Sequence, residues 1–508
     1  MKINVPIGNI LPFQESLRPA LPTVVGNVDY MEFERELHRI DELLRLSGVE
    51  QLFVRMSMGQ WEKESREAKK ERSHKARLHY QKQSFAALRC TVLMSLLGEP
   101  YRGMSRRLAE CALFRWFCRL EELETVRVPA KSTLQEYAHW LPVELMSMVI
   151  QTLSAAAMEV HPAGVSALNL ANAIELEWVW MDTTCVKANI HFPVDWVLLR
   201  DAIRTLMKAM MLIRRHGLKH RMSEPALFLK KINRLCIQMT HNRRAADSRK
   251  QRKRTLRQMK ELVGCVAAHA RRYRSLLDQQ WECTDWTRKQ AEQVLRRIDG
   301  VMTLLPRAKK QAHERIIGGR QVDNAEKILS LYERELHVIV RGKADAEVEF
   351  GNELLLAEQK DGLIVDWAFY QQEAPADCRM LPESLQRMEN AWGWAKVRGL
   401  GADRGFESAS NLKLLNNKRI FNAICPKDPA VLRQRMKEPQ FATMQKRRSQ
   451  TEGRIAIFKN AFLGRPLRSK GFARRHTAIV WNILAHNLWL LARLPTAEEE
   501  EVPIRKAA

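Results

Sequence analysis

Two strand-like stretches of this chain are separated by a long block that reads as helix almost throughout. The first, LEWVWMDTTCVKANI, is dense in Trp, Val and Thr, residue types that pack well on a pleated surface. It reads as a strand, with room to turn into a second one before Pro193. Strand character returns only at ELHVIVRGKADAEVEFGNELLLAEQKDGLIVDWAFYQ, beyond residues 201–330, which hold little Gly or Pro. Any sheet must therefore be assembled across an intervening helical block. At 508 residues the chain is also too long for one compact domain. These features predict an α/β fold, with an all-helical N-terminal region and strands on both sides of a long helical block.

The charge of the chain points to a polyanionic partner. The formal net charge is +26, and nucleic acid is the first candidate for such an excess. The excess is concentrated: Asp201 to Arg320 hold 30 Lys and Arg against 10 Asp and Glu, a net of +20. Within that block, HNRRAADSRKQRKRTLRQMK carries nine cations and one Asp. A charge run is usually a solvated face, but this density favours phosphate contact, with Arg252, Lys253 and Arg254 at its centre. No apolar run reaches the ~18 residues that a membrane span needs. The start, MKINVPIGNILPFQESLRPALP, predicts no secretory signal. Nine scattered Cys without a CxxC pair fit buried thiols in a reducing compartment.

Along the chain, MEFERELHRIDELLRLSG is amphipathic, with Leu37, Ile40, Leu43 and Leu44 on one face and Gly48 as a stop. The charge run WEKESREAKKERSHKARLHYQKQ reads as a solvated helix or linker. SFAALRCTVLMSLLG and YRGMSRRLAECALFRWFCRL predict short helices that could form a helix-turn-helix-like DNA reader or a plain scaffold. After the helical block, HVIVR, EVEFGNELLLAE and GLIVDWAFY predict an antiparallel meander turning at Gly342-Lys343 and Asp361-Gly362. A helix over 377–395, short strands in VRGLGADRGF and RIFNAICPKDP, and a buried helix at HTAIVWNILAHNLWLLARL complete the chain.

Three carboxylates stand out against this background. Asp182 is placed at the C-terminal end of the first strand, and Asp403 at the tip of a strand whose glycines allow a tight exit. Each has a plainer account, as a turn cap or a helix N-cap. Glu452 sits in RRSQTEGRIAIFKNAF, an Arg-x3-Glu-x6-Lys frame. In a helix, Arg448, Glu452 and Lys459 share one face. Taken alone, Arg448 and Glu452 are an ordinary i,i+4 surface pair. Together the three carboxylates supply hard oxygen ligands of the kind Mg²⁺ takes. The flanking cations Arg448 and Lys459, with the nearby Arg454, suit phosphate.

These residues resemble the DDE-type transposases of bacterial insertion sequences. MDTTCVKANIHFPVDWVLLRDAIRTL is similar to the family's first-Asp block, and ADRGFES to its second. The family's Tyr-x2-Arg-x3-Glu-x6-Lys signature is matched at Arg448, Glu452 and Lys459, with Gln445 at the Tyr position. The resemblance, over roughly residues 80–495, implies an RNase H-like core, a mixed sheet flanked by helices with a large helical insertion after the first strand, holding two Mg²⁺ ions, with Mn²⁺ as a substitute, on Asp182, Asp403 and Glu452. It implies cleavage at transposon ends and transfer of the freed 3′-OH to target DNA. The implied partners are double-stranded DNA, as terminal inverted repeats and target, and a second copy of the chain on that DNA. The implied location is the bacterial cytoplasm, at the nucleoid. Trp281 and Trp286, in the insertion, could stack on an unpaired base or pack within the helices. The expected boundaries are an N-terminal helical arm at 1–80, a DNA-binding helical region at 81–160, and a catalytic core at 171–201 and 331–495. A basic insertion at 202–330 and a disordered tail at 496–508 complete them. A catalytically inactive or domesticated DNA-binding protein, and an RNase H-like nuclease with a cellular role, stay open beside the transposase.

Overall fold

The computed structural model describes residues 5–497, except 13–17, 19, 69–71, 121–124, 163, 242–246, 344–345, 394–395 and 465. The expected tail lies outside the described residues from 498 onward, as do residues 242–246 of the basic run. The chain divides into two compact units. One runs up to Val186 and takes in Glu353–Tyr370 and the chain from Ala374 onward; the other comprises Lys187–Asn352 and Gln371–Glu373. No helix among the described residues is long and apolar enough to cross a membrane.

Among the described residues, the first unit begins with seven helices: α1 (Val28–Leu46), α2 (Val49–Glu67), α3 (His74–Leu97), α4 (Tyr101–Glu110), α5 (Ala112–Cys118), α6 (Lys131–Tyr137) and α7 (Val143–Met158). Leu37, Ile40, Leu43 and Leu44 are all fully buried, as the helical spacing predicted. Gly48 takes φ +70° between α1 and α2, and Gly98 takes φ +61° at the end of α3. The expected division into an arm at 1–80 and a separate region at 81–160 is not what forms. These helices share one core with the chain's last long helix, Phe472–Ala492, against which α1, α3 and α7 pack. The reason is that this last helix is apolar on most faces and needs neighbours all round. Ile479, Val480, Ile483, Leu484 and Leu488 are fully buried, and the Trp481 indole N–H donates to the Ala138 carbonyl at 2.9 Å. After α7 comes β1 (Trp178–Lys187), one continuous strand that does not turn into a second.

The second unit is the helical insertion. α8 (Asp195–Arg215), α9 (Pro225–His241), α10 (Ser248–Gln280) and α11 (Arg288–Ala312) close around their own core, which includes Ile203, Met207, Ile232, Met259, Val266 and Ile298. Its boundaries are wider than the expected 202–330. Asp195, the first residue of α8, is buried and accepts hydrogen bonds from Gln311 Nε2 at 2.9 Å and Arg315 Nη1 at 3.0 Å, which ties the start of the bundle to its end. β2 (His337–Lys343) and the first half of β3 (Ala346–Gln359) also belong to it, paired antiparallel from His337↔Gly351.

The remaining elements return to the first unit: β4 (Ile364–Phe369), α12 (Asp377–Trp392), β5 (Gly399–Ala402), α13 (Ala409–Asn417), β6 (Phe421–Ile424), α14 (Pro429–Arg435), α15 (Pro439–Ile457) and α16 (Phe472–Ala492). The meander read from the sequence is present, with β3 and β4 antiparallel and Gly362 at φ +104° in the turn between them. Within this unit β1 lies between β3 and β5, and β5 pairs parallel with both β1 and β6. The sheet is therefore mixed and the fold α/β.

The glycines of β5 do something other than open a tight exit. A Cβ on Gly399 would meet Trp178 Cζ3 at 2.2 Å, and one on Gly401 would meet Trp180 Cδ1 at 2.6 Å. Both indoles of β1 lie across the strand, and only glycine leaves them room. Gly401→Val is expected to cost about 1–3 kcal/mol by overpacking against Trp180. A urea midpoint equal to that of the unaltered protein would show that β5 accommodates the side chain.

Candidate active site

The register between β1 and β5 positions the first two carboxylates. The parallel ladder runs from Trp178↔Gly399 to Met181↔Ala402. The next residue on each strand is Asp182 and Asp403, so both emerge side by side at one edge of the sheet, where strands stand about 4.8 Å apart. Asp182 is the fifth residue of β1, not the end of the strand; what ends there is its pairing with β5. Asp403 Oδ1 accepts the Gly405 N–H at 2.8 Å and caps the short 3₁₀ turn Arg404–Phe406. The N-cap of α13 is Ser408, so Asp403 is not needed for that helix.

Glu452 lies on α15, as expected, and accepts from Arg448 Nη1 at 3.0 Å. Asp182 registers the charges around it. Burial raises its carboxyl from 3.8 to about 6; the Thr183 N–H pulls it down, Asp403 and Glu452 push it up, and Arg448 pulls it down. The three carboxylates and Arg448 thus share one local field. They do not form a closed single-ion cage: among the described residues no three His, Cys, Asp or Glu side chains are grouped to hold one metal ion. Lys459 reaches the same place. It lies on the π-helical turn Phe458–Leu463, and its Nζ donates to Thr184 Oγ1 at 2.9 Å. Thr184 is two residues from Asp182 on β1 and shares its face of the sheet.

One face of α15 presents the site; the other anchors the helix. Gln445, at the position where the resembling family has Tyr, lies on the site's face, three residues before Arg448, and donates its amide to the Ala423 carbonyl of β6 at 2.6 Å. Arg447 donates to Glu358 Oε1 at 3.1 Å and to the Lys360 carbonyl at 2.8 Å, and its guanidinium stands 4.8 Å over the Trp180 ring. Thr451 Oγ1 donates to Glu358 Oε1 at 2.7 Å. Arg454 belongs to this anchoring face. It donates to the Lys360 carbonyl at 3.3 Å and lies 3.9 Å from Glu358, away from the three carboxylates.

A fourth carboxylate stands close by and went unread in the sequence. A side chain at Gly405 would meet Asp377 Oδ2 at 2.4 Å and Asp403 Oδ1 at 3.0 Å, so these two oxygens flank a single point. Asp377 opens α12, where an Asp reads simply as a complement to the helix dipole.

Arg252, Lys253, Arg254, Trp281 and Trp286 lie in the second unit. Arg252 is half-buried with its guanidinium 5.2 Å over the Trp196 ring, whereas Arg254 is exposed. Both candidate stacking residues are half-buried against the helical core, and Trp286 sits 4.4 Å from the His216 ring.

The turn that carries Lys459 rests on a buried histidine. His486 of α16 packs against Phe458 at 5.7 Å and Phe462 at 5.4 Å. Burial pushes its imidazole down from 6.5 to about 4. The fold therefore holds it neutral, and protonation favours the unfolded chain. This contribution is intact above pH 6.5 and lost as the pH falls through 4, reaching about 3 kcal/mol. His486→Leu is expected to flatten the fall in stability over that window; a curve parallel to that of the unaltered protein contradicts it.

Compared with known proteins, the chain matches no family model, no curated sequence and no solved structure.

Proposed function

We propose that this chain is a DDE-type DNA transposase that cuts DNA at transposon ends and joins the freed 3′-OH to target DNA. One observation carries the reading. The parallel register of β1 and β5 sets Asp182 and Asp403 side by side, and the half-buried Asp182 lies within the field of Glu452. Two further acids acting on the Asp182 carboxylate make its charge costly unless a cation joins them. The mixed sheet, with carboxylates on a central strand and on its parallel neighbour, supports an RNase H-like core.

The donor set fits Mg²⁺, because Asp182, Asp403 and Glu452 all offer hard oxygen ligands. Two ions would divide these ligands between them, so neither ion requires all three. Bound there, the metal supplies activation of an attacking oxygen and charge stabilisation of a leaving one. The chain itself supplies position. Lys459, hydrogen-bonded to Thr184, and Arg448, beside Glu452, set cations on either side of the acids where scissile-strand phosphates would lie. Double-stranded DNA as substrate and a second copy of the chain for paired ends complete the proposal.

A non-catalytic DNA-binding protein is the second reading. It is favoured by the Arg448–Glu452 pair, which already satisfies one acid, and by the absence of a three-ligand group among the described residues. A labelled duplex taken from the DNA flanking the gene separates the two. The expected result is a nick at one defined position with Mg²⁺ or Mn²⁺ and none with EDTA. Tight binding without cleavage under any metal leaves the second reading in place.

A further inference from the structure

The second unit contains a cleft of about 440 Å³ between α8, α11 and the segment Leu331–Arg334. Four cations line it: Lys208, Arg296, Arg297 and Arg334. Thr205 and Tyr332 complete its polar wall, their hydroxyls 2.6 Å apart, and among the described residues no Asp or Glu lines it. Nearby acids are committed elsewhere. Asp299 accepts from Arg274 at 3.1 Å, and Asp201 accepts from Arg200 at 3.1 Å. Among the described residues, Lys208, Arg296 and Arg297 have no carboxylate partner.

We propose that this cleft binds a small polyphosphate ligand of the nucleoside di- or triphosphate class. Four like charges converging on one concavity repel each other, and an anion of matching charge relieves that cost. The cleft is also built. Arg334 Nη2 donates to the Gly300 carbonyl at 2.7 Å, and a Cβ on Gly300 would lie 2.7 Å from that same nitrogen. A glycine on α11 thus lets the guanidinium lie across the helix and holds it in place before any ligand arrives. Fork-shaped guanidiniums suit phosphate oxygens, and several together suit more than one phosphate. The exposed ring of Tyr332 offers a flat apolar face to a base. The volume lies within the usual range for small-molecule pockets. A duplex presents its phosphates along an extended convex path, which calls for a stripe of cations, not one concave cluster. The site is distinct from the three carboxylates and does not depend on their role.

Calorimetric titration of the full chain in EDTA tests this, with ATP, GTP, tripolyphosphate and a 5′-phosphorylated single-stranded oligonucleotide as probes. The expected result is saturable binding of a nucleoside triphosphate, with tripolyphosphate competing for it. Arg296→Ala with Arg297→Ala should weaken it about tenfold or more. The double change Lys231→Ala with Arg234→Ala, at exposed positions of α9 in the same unit, should leave it unaltered. Because the cleft arginines are exposed, loss of binding with an unchanged melting curve is not a folding defect. Binding of the oligonucleotide alone would assign the cleft to a DNA strand and overturn the proposal. So would nucleotide binding indifferent to the Arg296 and Arg297 changes, or no binding of any probe.

Discussion

Asp182→Asn and Asp403→Asn are each expected to lower metal-dependent strand cleavage by about 10³-fold or more, with duplex binding nearly unchanged. Each removes one of the carboxylates proposed to hold the metal while keeping the shape of the side chain. Glu452→Gln should act in the same direction. A second consequence separates this from a folding defect. The Asp182 carboxyl is raised from 3.8 to about 6, chiefly by burial. Its charged form is therefore less favourable in the fold than in the unfolded chain. The destabilisation is absent below pH 3.8, grows between 3.8 and 6 and is complete above, at about 3 kcal/mol. In EDTA at neutral pH, Asp182→Asn should thus be more stable than the unaltered protein while cutting far less. Urea denaturation and the nicking assay read the two halves. A variant that is both inactive and less stable would place Asp182 among the structural residues and remove it from the chemistry.

The parts of this site that the sequence revealed are those carried by local pattern. A Trp- and Val-rich run marks β1, an alternating run marks the meander, and the Arg-x3-Glu-x6-Lys frame marks the exposed face of α15. Local pattern is also why Asp403 could be placed beyond a short strand. What stayed hidden depends on contacts between residues far apart in the chain. Arg447 and Arg448 are adjacent cations with no local difference. Only the Glu358 carboxylate and the carbonyl of Lys360, supplied by β3 and the turn after it, make the first an anchor and leave the second to the site. Arg454 looked like a phosphate ligand for the same reason and belongs with the anchor. The glycines of β5 looked like the means of a tight exit before Asp403 because nothing local shows that Trp178 and Trp180 lie over them. Asp377 had no signal at all, since its partner residues arrive from a different strand end.

The charged N-terminal region shows the same limit at its largest scale. Arg89 sits in SFAALRCTVLMSLLG, an otherwise apolar helix, and is fully buried. Its Nε donates to Glu50 Oε1 at 2.5 Å, and its Nη1 donates to Asp41 Oδ1 at 2.5 Å and to the Phe117 carbonyl at 2.8 Å. One guanidinium thus ties α1, α2 and α5 to α3. Burial would raise Asp41, but Arg89 and Arg18 overcome it and hold its carboxyl below the ordinary value. Removing the cation leaves two buried acids without their central partner, a loss that costs about 3–5 kcal/mol. Arg89→Ala is expected to show that loss as an early unfolding transition. Arg89→Lys should fall between, because an ammonium keeps the charge but not the fork that serves three acceptors at once. Adding Asp41→Asn and Glu50→Gln to Arg89→Ala should recover part of the loss by discharging the acids. If Arg89→Ala melts with the unaltered protein, the network contributes position but little stability, and the helices are held to α16 by apolar contact alone.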